Sequence, residues 1–480
     1  MTEQRADLIV VGAGPAGGHA ALTAARAGLD VVLVDEGDAP GGQVWRAPAA
    51  GITVRDAAAL GPDHRAGTSL RAALAASPVR VFARHRAWLL QPGFAVQAAG
   101  PEGDVRLAAP SLLLAPGTTE RIVPFPGWTL PGVIGLAGAT ALIKGQRMLP
   151  GHNLVVAGAG PLLAAVAVAV IKGGGRVAAV VDINGPADWL RALPGMLGRP
   201  DLLARGLGWI ALLRRHGVPY LARHAIRRAD GDPALAEVTL APVDADGAFL
   251  PGGAERSFAV DALTVGHGLV PASEMARMLG AHHRHAPDLG GWVPELDAAG
   301  RSSVDGLYVA GDGAGLRGAA FAALAGEMAG LAVAQDRGCG DAAGHAARQA
   351  GLLRRAARAG RFGNAMVGLL RPRAAMLAAI PLDVAVCRCE DVTRGDIEAA
   401  LDEGARQIGQ LKAWTRCGMG PCQGRFCGPA VEALAGLRGI ASADFGPMVA
   451  RAPLRPVGIG TITGDFDPAS LLLPPSLPSG

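Results

Sequence analysis

The feature that most constrains this chain is a short apolar strand that leads into a glycine-rich turn close to its first residues. Residues 7–17 read DLIVVGAGPAG and place Gly12, Gly14 and Gly17 at G-x-G-x-x-G spacing. An alanine-rich helical pattern follows, and DVVLVDE then predicts a second strand that ends at Asp35. These glycines allow a tight turn, close approach of a pyrophosphate and close helix–strand packing. An acid about twenty residues on can bind a ribose hydroxyl. We therefore expect a Rossmann-type dinucleotide site.

A second strand–turn–helix–strand pattern lies in the middle of the chain. Residues 154–171 are eighteen uncharged residues, long enough to suggest a membrane span. The GAGP within them instead favours a buried strand, a tight turn with Gly158 and Gly160, and a buried helix. The next predicted strand ends at Asp182, an acid that argues against NADP, and Leu163 stands where the third glycine belongs. Three outcomes stay open for this site: NAD, another adenine nucleotide, or no nucleotide.

Composition excludes some classes of function. The net charge is only +4 and aromatic residues make up 4% of the chain. Nucleic-acid binding normally needs a basic stripe or aromatic stacking platforms, so we expect no nucleic-acid partner. The start, MTEQRADLIVVGAG, has no apolar signal region with a cleavage site. We therefore expect a cytoplasmic protein without a membrane span.

Six cysteines are present, and five of them lie between Cys387 and Cys427. In a reducing compartment, clustered cysteines indicate metal or redox chemistry more often than structural disulfides. Zinc ribbons usually use paired C-x2-C loops, which the C-x-C at Cys387 and Cys389 fits poorly. Iron–sulfur clusters need four thiolates. We expect such a cluster, with zinc as the alternative. No cysteine precedes Cys339, so a redox disulfide beside the first dinucleotide site is excluded.

Three further motifs resemble elements of two-dinucleotide flavoproteins of the thioredoxin-reductase type. PGGQVWR, with Gly42 and Gln43, resembles the segment that approaches the flavin. VDGLYVAGDGAG, with Gly311 and Asp312, resembles the second FAD signature, and LLLAPGTTERIVPFPGW resembles the crossover strand, with Pro116 where threonine is common. The resemblance implies FAD at the first site. The residues assigned to FAD are Gly12, Gly14, Pro15, Gly17, Asp35, Glu36, Gly42, Gln43, Arg46, Gly117, Gly311 and Asp312.

The cysteine segment resembles the small helical [2Fe-2S] domain of bacterioferritin-associated ferredoxin. In both, C-x-C is followed by about thirty residues and a close cysteine pair. The resemblance implies Cys387, Cys389, Cys422 and Cys427 as cluster ligands, with Cys417 as an alternate for one of the last pair. Thr393 and LKAWT predict the two helices of such a domain, and nearby arginine and lysine side chains are expected to offset the negative charge of the cluster.

Taken together, the motifs are similar to the FAD- and [2Fe-2S]-containing A (alpha) components of heteromeric bacterial amine and imino-acid dehydrogenases. That group includes the A component of opine oxidase, the B component of hydrogen cyanide synthase, hydroxyproline dehydrogenase and, more distantly, the sarcosine oxidase alpha chain. The likeness covers nearly all of residues 1–440 and implies an electron-relay role. The substrate, a secondary amine or imino acid such as an opine or hydroxyproline, would be oxidised on a partner flavoprotein resembling D-amino-acid oxidases. A small ferredoxin-like chain is a further expected partner, and peripheral contact with the respiratory chain is also expected.

Two other functions stay open. One is a stand-alone NAD(P)H-dependent flavoprotein reductase that feeds an external acceptor, against which Leu163 speaks. The other is a non-catalytic cluster carrier, against which the complete FAD motifs speak. Catalytic residues are unknown: His267 lies in a glycine-rich turn, where a structural role is expected, and His282, His283 and His285 are expected in a solvated loop.

The expected fold class is α/β, with two Rossmann-like units, the FAD unit being split in sequence, and a small helical [2Fe-2S] domain. The expected divisions are 1–125 and 260–340 for the FAD-binding domain, 126–259 for the second dinucleotide-binding domain, 341–380 for a helical linker, 381–440 for the [2Fe-2S] domain and 441–480 for a C-terminal tail. The proline-rich tail is expected to dock on a neighbour or to be mobile.

Overall fold

Short β-branched and leucine-rich runs form the strands, and the glycine-rich turns after them lead into helices. The structure is a computed structural model that describes residues 3–54 and 60–463. Its strands are β1 Glu3–Arg5, β2 Leu8–Val11, β3 Val31–Val34, β4 Arg80–Phe82, β5 Arg86–Gln91, β6 Ala95–Gly100, β7 Gly103–Ala108, β8 Leu112–Leu114, β9 Thr118–Glu120, β10 Val133–Gly135, β11 Asn153–Gly158, β12 Arg176–Asp182, β13 Tyr220–Ala222, β14 His224–Asp230, β15 Glu237–Pro242, β16 Arg256–Ala259, β17 Ala262–Gly266, β18 Leu269–Pro271, β19 His283–Ala286, β20 Gly291–Pro294, β21 Leu307–Val309, β22 Ala385–Cys387 and β23 Val392–Thr393.

The helices flank these strands and form most of the C-terminal third. They are α1 Pro15–Arg26, α2 Gly61–Ala75, α3 Leu136–Ala141, α4 Leu162–Lys172, α5 Pro186–Met196, α6 Pro200–Arg215, α7 Glu274–Met278, α8 Ala319–Asp336, α9 Ala342–Leu369, α10 Ala374–Ala378, α11 Arg394–Asp402, α12 Ile408–Thr415, α13 Gly428–Leu437, α14 Ser442–Phe445 and α15 Ile459–Thr463. A π-helical turn at Leu142–Gln146 and 3-10 turns at Pro287–Leu289 and Gly311–Ala314 complete the set.

The first unit is built on a parallel sheet with strand order β21-β8-β2-β3-β4. The sheet joins strands that are far apart in sequence, so the unit is split along the chain. A second layer, β1-β7-β6-β5, packs beside it. Helices α1 and α8 lie side by side, so close that a side chain at Gly326 would come within 2.0 Å of the Ala16 carbonyl oxygen. This contact requires glycine and places the start of α1 against the middle of α8.

The second unit is built on another parallel sheet, with order β10-β17-β11-β12-β13, and a small antiparallel sheet, β14-β15-β16. The antiparallel pair β9–β18 connects the two units. The expected boundaries at 125 and 260 need correction. Val123 and Phe125 lie in the core of the second unit, and β17 pairs with both β10 and β11. Strand β17 reads ALTVG, and an apolar run of this kind does not reveal which of two parallel sheets it joins.

The uncharged stretch at residues 154–171 is a strand, a turn and a helix, as predicted. Strand β11 is the central strand of its sheet, and helix α4 covers it with buried Leu163, Val166 and Val170. None of the helices in the described ranges is long and apolar enough to cross a membrane.

Helices α9 and α10 carry the chain from the first unit to a small cysteine domain, formed by β22, β23 and helices α11 to α14. Thr393 caps α11 as predicted: its hydroxyl oxygen accepts from the Asp396 amide, and the Asp396 carboxylate accepts from the Thr393 amide. The core of this domain includes Ile397, Leu411 and Val431.

The expectation that the tail after residue 440 docks on a neighbour or is mobile also needs correction for its first part. Phe445 is buried in the cysteine domain. The next segment, residues 447–458, which we call the strap, returns to the first unit, where Leu454 is fully buried and its amide donates to the Trp88 carbonyl over 2.7 Å. The proline-rich end, residues 464–480, lies outside the described residues. A single fully buried leucine in a short segment without helical or strand periodicity gives too little pattern to predict such docking.

Candidate functional site

A cavity of about 840 Å³ opens along the carboxyl edge of the first sheet. This edge is where ligands bind in open parallel sheets, and the volume lies within the range of about 300–1,000 Å³ that is usual for ligand pockets. We call it the first-site cavity. The predicted FAD residues that line it are Gly12, Gly14, Pro15, Asp35, Glu36, Gly42, Gln43, Arg46, Gly117, Gly311 and Asp312. Motifs from three distant stretches of the chain therefore meet at one site.

The glycine turn has the close backbone approaches that its motif predicts. Gly12 has a φ of +101°, and a side chain there would come within 2.2 Å of the Ala115 carbonyl oxygen. A side chain at Gly17 would come within 1.7 Å of the Gly12 carbonyl oxygen. Gly17 therefore does not line the cavity but lets α1 start directly against β2. This leaves the N-terminus of α1 facing the cavity, where phosphate groups bind favourably.

Asp35 at the end of β3 braces the same turn. Its carboxylate accepts hydrogen bonds from the amides of Ala13 (2.5 Å) and Gly37 (2.7 Å). Burial raises the pKa of Asp35, and these two hydrogen bonds oppose the rise. The next residue, Glu36, is half-exposed at the rim of the cavity. Two carboxyl groups at the end of β3 are thus in place to accept from hydroxyl groups of a ligand.

The segment after β3 crosses over the glycine turn. A side chain at Gly42 would come within 2.9 Å of the Gly14 Cα, so the two backbones touch at this point. The Gly41 amide donates to the Ala13 carbonyl over 2.8 Å. Beyond them, the Arg46 guanidinium donates to the Gln43 side-chain oxygen. Hydrogen-bond donors therefore lie beside a turn whose glycines leave room for a pyrophosphate.

The opposite wall comes from the end of β21. Asp312 accepts hydrogen bonds from the amides of Arg317 and Gly318, both over 2.9 Å, and its pKa is raised because burial outweighs these bonds. Pro116 packs against the backbone at Gly313 and thus supports this wall. Pro116, where threonine is common, therefore leaves the first-site cavity open. The shape and donor set fit a dinucleotide such as FAD.

The second glycine turn differs from the first. Leu163 is fully buried and packs between α4 and its sheet. Asp182 is also fully buried and accepts four hydrogen bonds: from the Asn184 amide and side-chain nitrogen, the Trp189 indole and the Tyr220 hydroxyl. Burial raises its pKa, and the four bonds oppose that rise. Its carboxylate oxygens face protein donors, whereas the predicted role needs them to face a ribose.

The chain's own linker lies over this second turn. The Leu370 side chain packs where side chains on Gly160 and Gly268 would be, at 2.8 and 3.0 Å. Arg373 donates to the Asn184 side-chain oxygen over 3.1 Å and contacts Asp188 at 3.1 Å. The space that remains beside the turn is a cavity of about 350 Å³, with linker residues in its wall.

The five clustered cysteines come together in the cysteine domain. The sulfur atoms of Cys387, Cys417 and Cys427 lie within 4.8 Å of one another, and all three side chains are buried. Cys389 and Cys422 form a neighbouring pair whose thiols interact directly. Of the four predicted ligands, the structure therefore groups Cys387 and Cys427 with the alternate, Cys417, whereas Cys389 and Cys422 form a separate pair beside them. Four thiolates suffice for a [2Fe-2S] cluster, so the donor set fits this cofactor and holds one thiol in excess.

The electrostatics of this group favour a thiolate. Hydrogen bonds from the thiols of Cys417 and Cys427 lower the pKa of Cys387 to about 2, and the Gly418 amide also donates to its sulfur over 3.5 Å. Two of the basic side chains near the cysteines have acidic partners: Arg416 pairs with Glu390 at 2.9 Å and Arg425 with Glu274 at 2.8 Å.

The cysteine loop, residues 417–428, reaches the first-site cavity. Cys422, Arg425 and Phe426 line this cavity together with the predicted FAD residues. Arg455 of the strap lines it as well, and Arg425 contacts the buried carboxylate of Glu274 at 2.8 Å. Sequence reasoning missed Glu274 and Arg455, since neither belongs to a motif and their partners are far away in sequence.

The histidines that stood out in the sequence do not form a site. His267 is buried, and burial, followed by the charge of Arg121, lowers its pKa to about 4. His283 and His285 lie on β19, not in the expected solvated loop. His285 contacts Glu432 at 3.1 Å, and His283 contacts the Ala281 carbonyl at 2.7 Å. Their side chains therefore have separate structural partners.

Comparison with known proteins supports both halves of this description. A family model described as pyridine nucleotide-disulphide oxidoreductase matches residues 6–338, and one described as BFD-like [2Fe-2S] binding domain matches residues 385–435. The opine oxidase A-subunit of Rhizobium meliloti (strain 1021) is 35% identical over 481 residues, which cover 96% of this chain and 99% of that protein. Hydrogen cyanide synthase subunit HcnB of Pseudomonas aeruginosa is 35% identical over 426 residues, covering 87% and 90%.

Among solved structures, L-proline dehydrogenase from P. horikoshii has a similar fold. It aligns with a TM-score of 0.69 and 21% sequence identity over 96% of this chain and 80% of that chain. At this identity the likeness concerns the fold alone.

Proposed function

The chain belongs to the pyridine nucleotide-disulphide oxidoreductase family, and on that premise we propose that it is the electron-relay subunit of a heteromeric amine or imino-acid dehydrogenase. It is an FAD-dependent oxidoreductase with a [2Fe-2S] domain. Its relatives are named as subunits, which indicates a complex with other chains. In the proposal, a partner flavoprotein resembling D-amino-acid oxidases oxidises the C–N bond of an opine, hydroxyproline or a similar secondary amine.

One observation carries the proposal. The first-site cavity is lined by Gly12, Asp35 and Asp312 together with Cys422 of the cysteine loop. A flavin accepts electrons in pairs and a [2Fe-2S] cluster accepts them singly, so the two cofactors side by side convert between the two modes. In the described part of the chain, the cysteine loop is the one source of thiols in the wall of this cavity.

The residues of this chain would bind and shield the two cofactors. We assign the pyrophosphate of FAD to the turn of Gly12 and Gly14, and hydroxyl groups to Asp35 and Asp312. For the cluster we assign Cys387, Cys389, Cys422 and Cys427 as ligands. Cys417 is then the excess thiol, which donates a hydrogen bond to a ligand sulfur and so tunes the potential.

We further propose that the second dinucleotide site takes no nicotinamide cofactor. The support is threefold: Asp182 is saturated by protein donors, Leu163 fills the helix–strand contact, and Leu370 packs on the glycine turn. Electrons then come from the partner flavoprotein, not from NAD(P)H. Clustered cysteines that bind a metal centre are typical of a reducing compartment, which fits a cytoplasmic enzyme.

The experiment is purification of a tagged chain from its native host under anaerobic conditions, followed by mixing with candidate secondary amines. We expect a second flavoprotein in stoichiometric amount, and reduction of both FAD and cluster by an amine only when that partner is present. Removal of the partner at high salt is the matched control. A chain that purifies alone and is reduced by NADPH or NADH contradicts the proposal and supports a stand-alone reductase.

A further inference from the structure

A buried carboxylate joins three separate parts of the molecule next to the first-site cavity. Glu274, the first residue of α7, is only 7% exposed. Its Oε1 accepts from the Arg425 guanidinium over 2.8 Å and from the Arg455 guanidinium over 3.1 Å. Helix α7 belongs to the first unit, Arg425 to the cysteine loop and Arg455 to the strap. We call these three residues the buried triad.

The triad is connected directly to the backbone of the cysteine loop. The Arg425 guanidinium also donates to the Cys422 carbonyl over 3.0 Å and to the Leu454 carbonyl over 2.6 Å. In addition, the Gln423 side chain donates to the Pro453 carbonyl over 2.7 Å. The loop that carries the predicted ligand Cys422 is thereby fixed to the strap, and through Glu274 to the first unit.

The charges of the triad are strongly coupled. Burial alone would raise the pKa of Glu274, but attraction to Arg425 and then Arg455 outweighs it and lowers the pKa to about 2. Both arginines line the first-site cavity, so the triad stands at the wall between the FAD site and the cysteine loop. A buried ion pair contributes little net stability compared with apolar packing, but removing one partner is costly, and its directional bonds fix geometry.

We propose that Glu274 is a positioning residue for electron transfer, one that holds the Cys422 loop at a fixed place on the wall of the FAD site. The proposal rests on the relay function proposed above. In the step concerned, FAD reduced by the partner would supply its two electrons to the cluster one at a time, a one-electron acceptor would take each electron on, and the flavin protons would pass to water. Glu274 would hold the Cys422 loop in place during this transfer.

The test uses Glu274→Gln in the full chain, with Glu398→Gln as the matched control. Glu398 on α11 is likewise a poorly exposed carboxylate between two arginines, Arg394 and Arg438, but unlike Arg425 and Arg455 these arginines do not line the first-site cavity. Three quantities are measured: FAD and iron content, hydrogen exchange of residues 417–428 and 451–456, and the rate of electron transfer from FAD to cluster after flash photoreduction.

We expect both variants to keep their cofactors, since neither residue contacts a predicted ligand side chain. In Glu274→Gln, hydrogen exchange should rise in both segments and electron transfer should slow several-fold, because the rate of electron tunnelling falls with the distance between donor and acceptor. Glu398→Gln should change neither. A wild-type transfer rate in Glu274→Gln, or equal slowing in Glu398→Gln, overturns the proposal.

A second variant keeps the test decisive if Glu274→Gln does not fold. Glu274→Asp keeps the charge but withdraws the carboxylate by one methylene, so we expect a smaller slowing and a smaller rise in exchange. A wild-type rate with unchanged exchange in this variant also overturns the proposal. If the wild-type chain itself transfers no electron from FAD to cluster, the relay function fails, whereas the exchange comparison still decides whether Glu274 holds the loop.

Discussion

Leu163 offers a quantitative test of why the second dinucleotide site is closed. Leu163 is fully buried between α4 and its sheet. Leu163→Ala removes three side-chain carbons, each worth about 0.8 kcal/mol of burial, or about 2.4 kcal/mol together. The cavity left behind raises the loss in unfolding free energy to about 3–4 kcal/mol. Because Asp182 and Leu370 also close the site, we expect no reduction of FAD by NADH in this variant.

The assay is urea unfolding followed by circular dichroism, with an anaerobic NADH titration of the same preparation. The matched control is Leu162→Ala on the adjacent position of α4, where the side chain is 39% exposed and the expected loss is below about 1 kcal/mol. A loss below about 1 kcal/mol for Leu163→Ala would refute its role as a core residue. Reduction of FAD by NADH in that variant would show that Leu163 alone closes the site.

Three further outcomes are expected. Gly17→Ala should lose FAD and destabilise the first unit by about 1–3 kcal/mol, because the new Cβ would lie 1.7 Å from a backbone oxygen. The control Gly206→Ala, whose Cβ would meet open space, should retain FAD as measured by absorbance. Cys422→Ala should lose the cluster in iron assays and EPR, whereas Cys417→Ala should keep it with a shifted potential. Folding lowers the pKa of His267 from 6.5 to about 4, because the buried side chain is more stable in its neutral form. The free energy of unfolding should therefore decrease by about 3 kcal/mol as the pH falls through this range. The urea midpoint of His267→Gln should decrease less over the same pH range.

Local sequence patterns were sufficient to predict those parts of the molecule that depend on backbone conformation. The G-x-G-x-x-G turn is followed by its helix, and Gly12 needs its positive φ because a side chain would strike the Ala115 carbonyl. The cap at Thr393 formed as its sequence predicts. These features depend on neighbours within a few residues, so their sequence signals are short and specific.

Contacts between distant segments could not be predicted in this way. Strand β17 could have joined either sheet, because both take apolar runs. Asp182 has the place of a ribose-binding acid, yet Asn184, Trp189 and Tyr220 saturate it. Nothing in the sequence around Leu370 signals that it packs on Gly160, more than 200 residues earlier.

The contact between the FAD site and the cysteine domain could not be predicted for the same reason. The sequence predicts a FAD site and a cluster site separately, but their shared cavity depends on the cysteine loop and the strap. Glu274 lies in the unremarkable segment PASEMARM, and its role appears only when Arg425 and Arg455 are brought to it. A single acid gives no periodic signal, so only its burial identifies it.

The measurement that tests the account most directly is an anaerobic titration of the purified chain with NADH, followed by visible and EPR spectra, with dithionite as the positive control. The account predicts that NADH leaves FAD and the cluster oxidised while dithionite reduces both. Bleaching of the flavin by NADH together with a reduced [2Fe-2S] signal would contradict it, since the second dinucleotide site would then be a working entry for electrons.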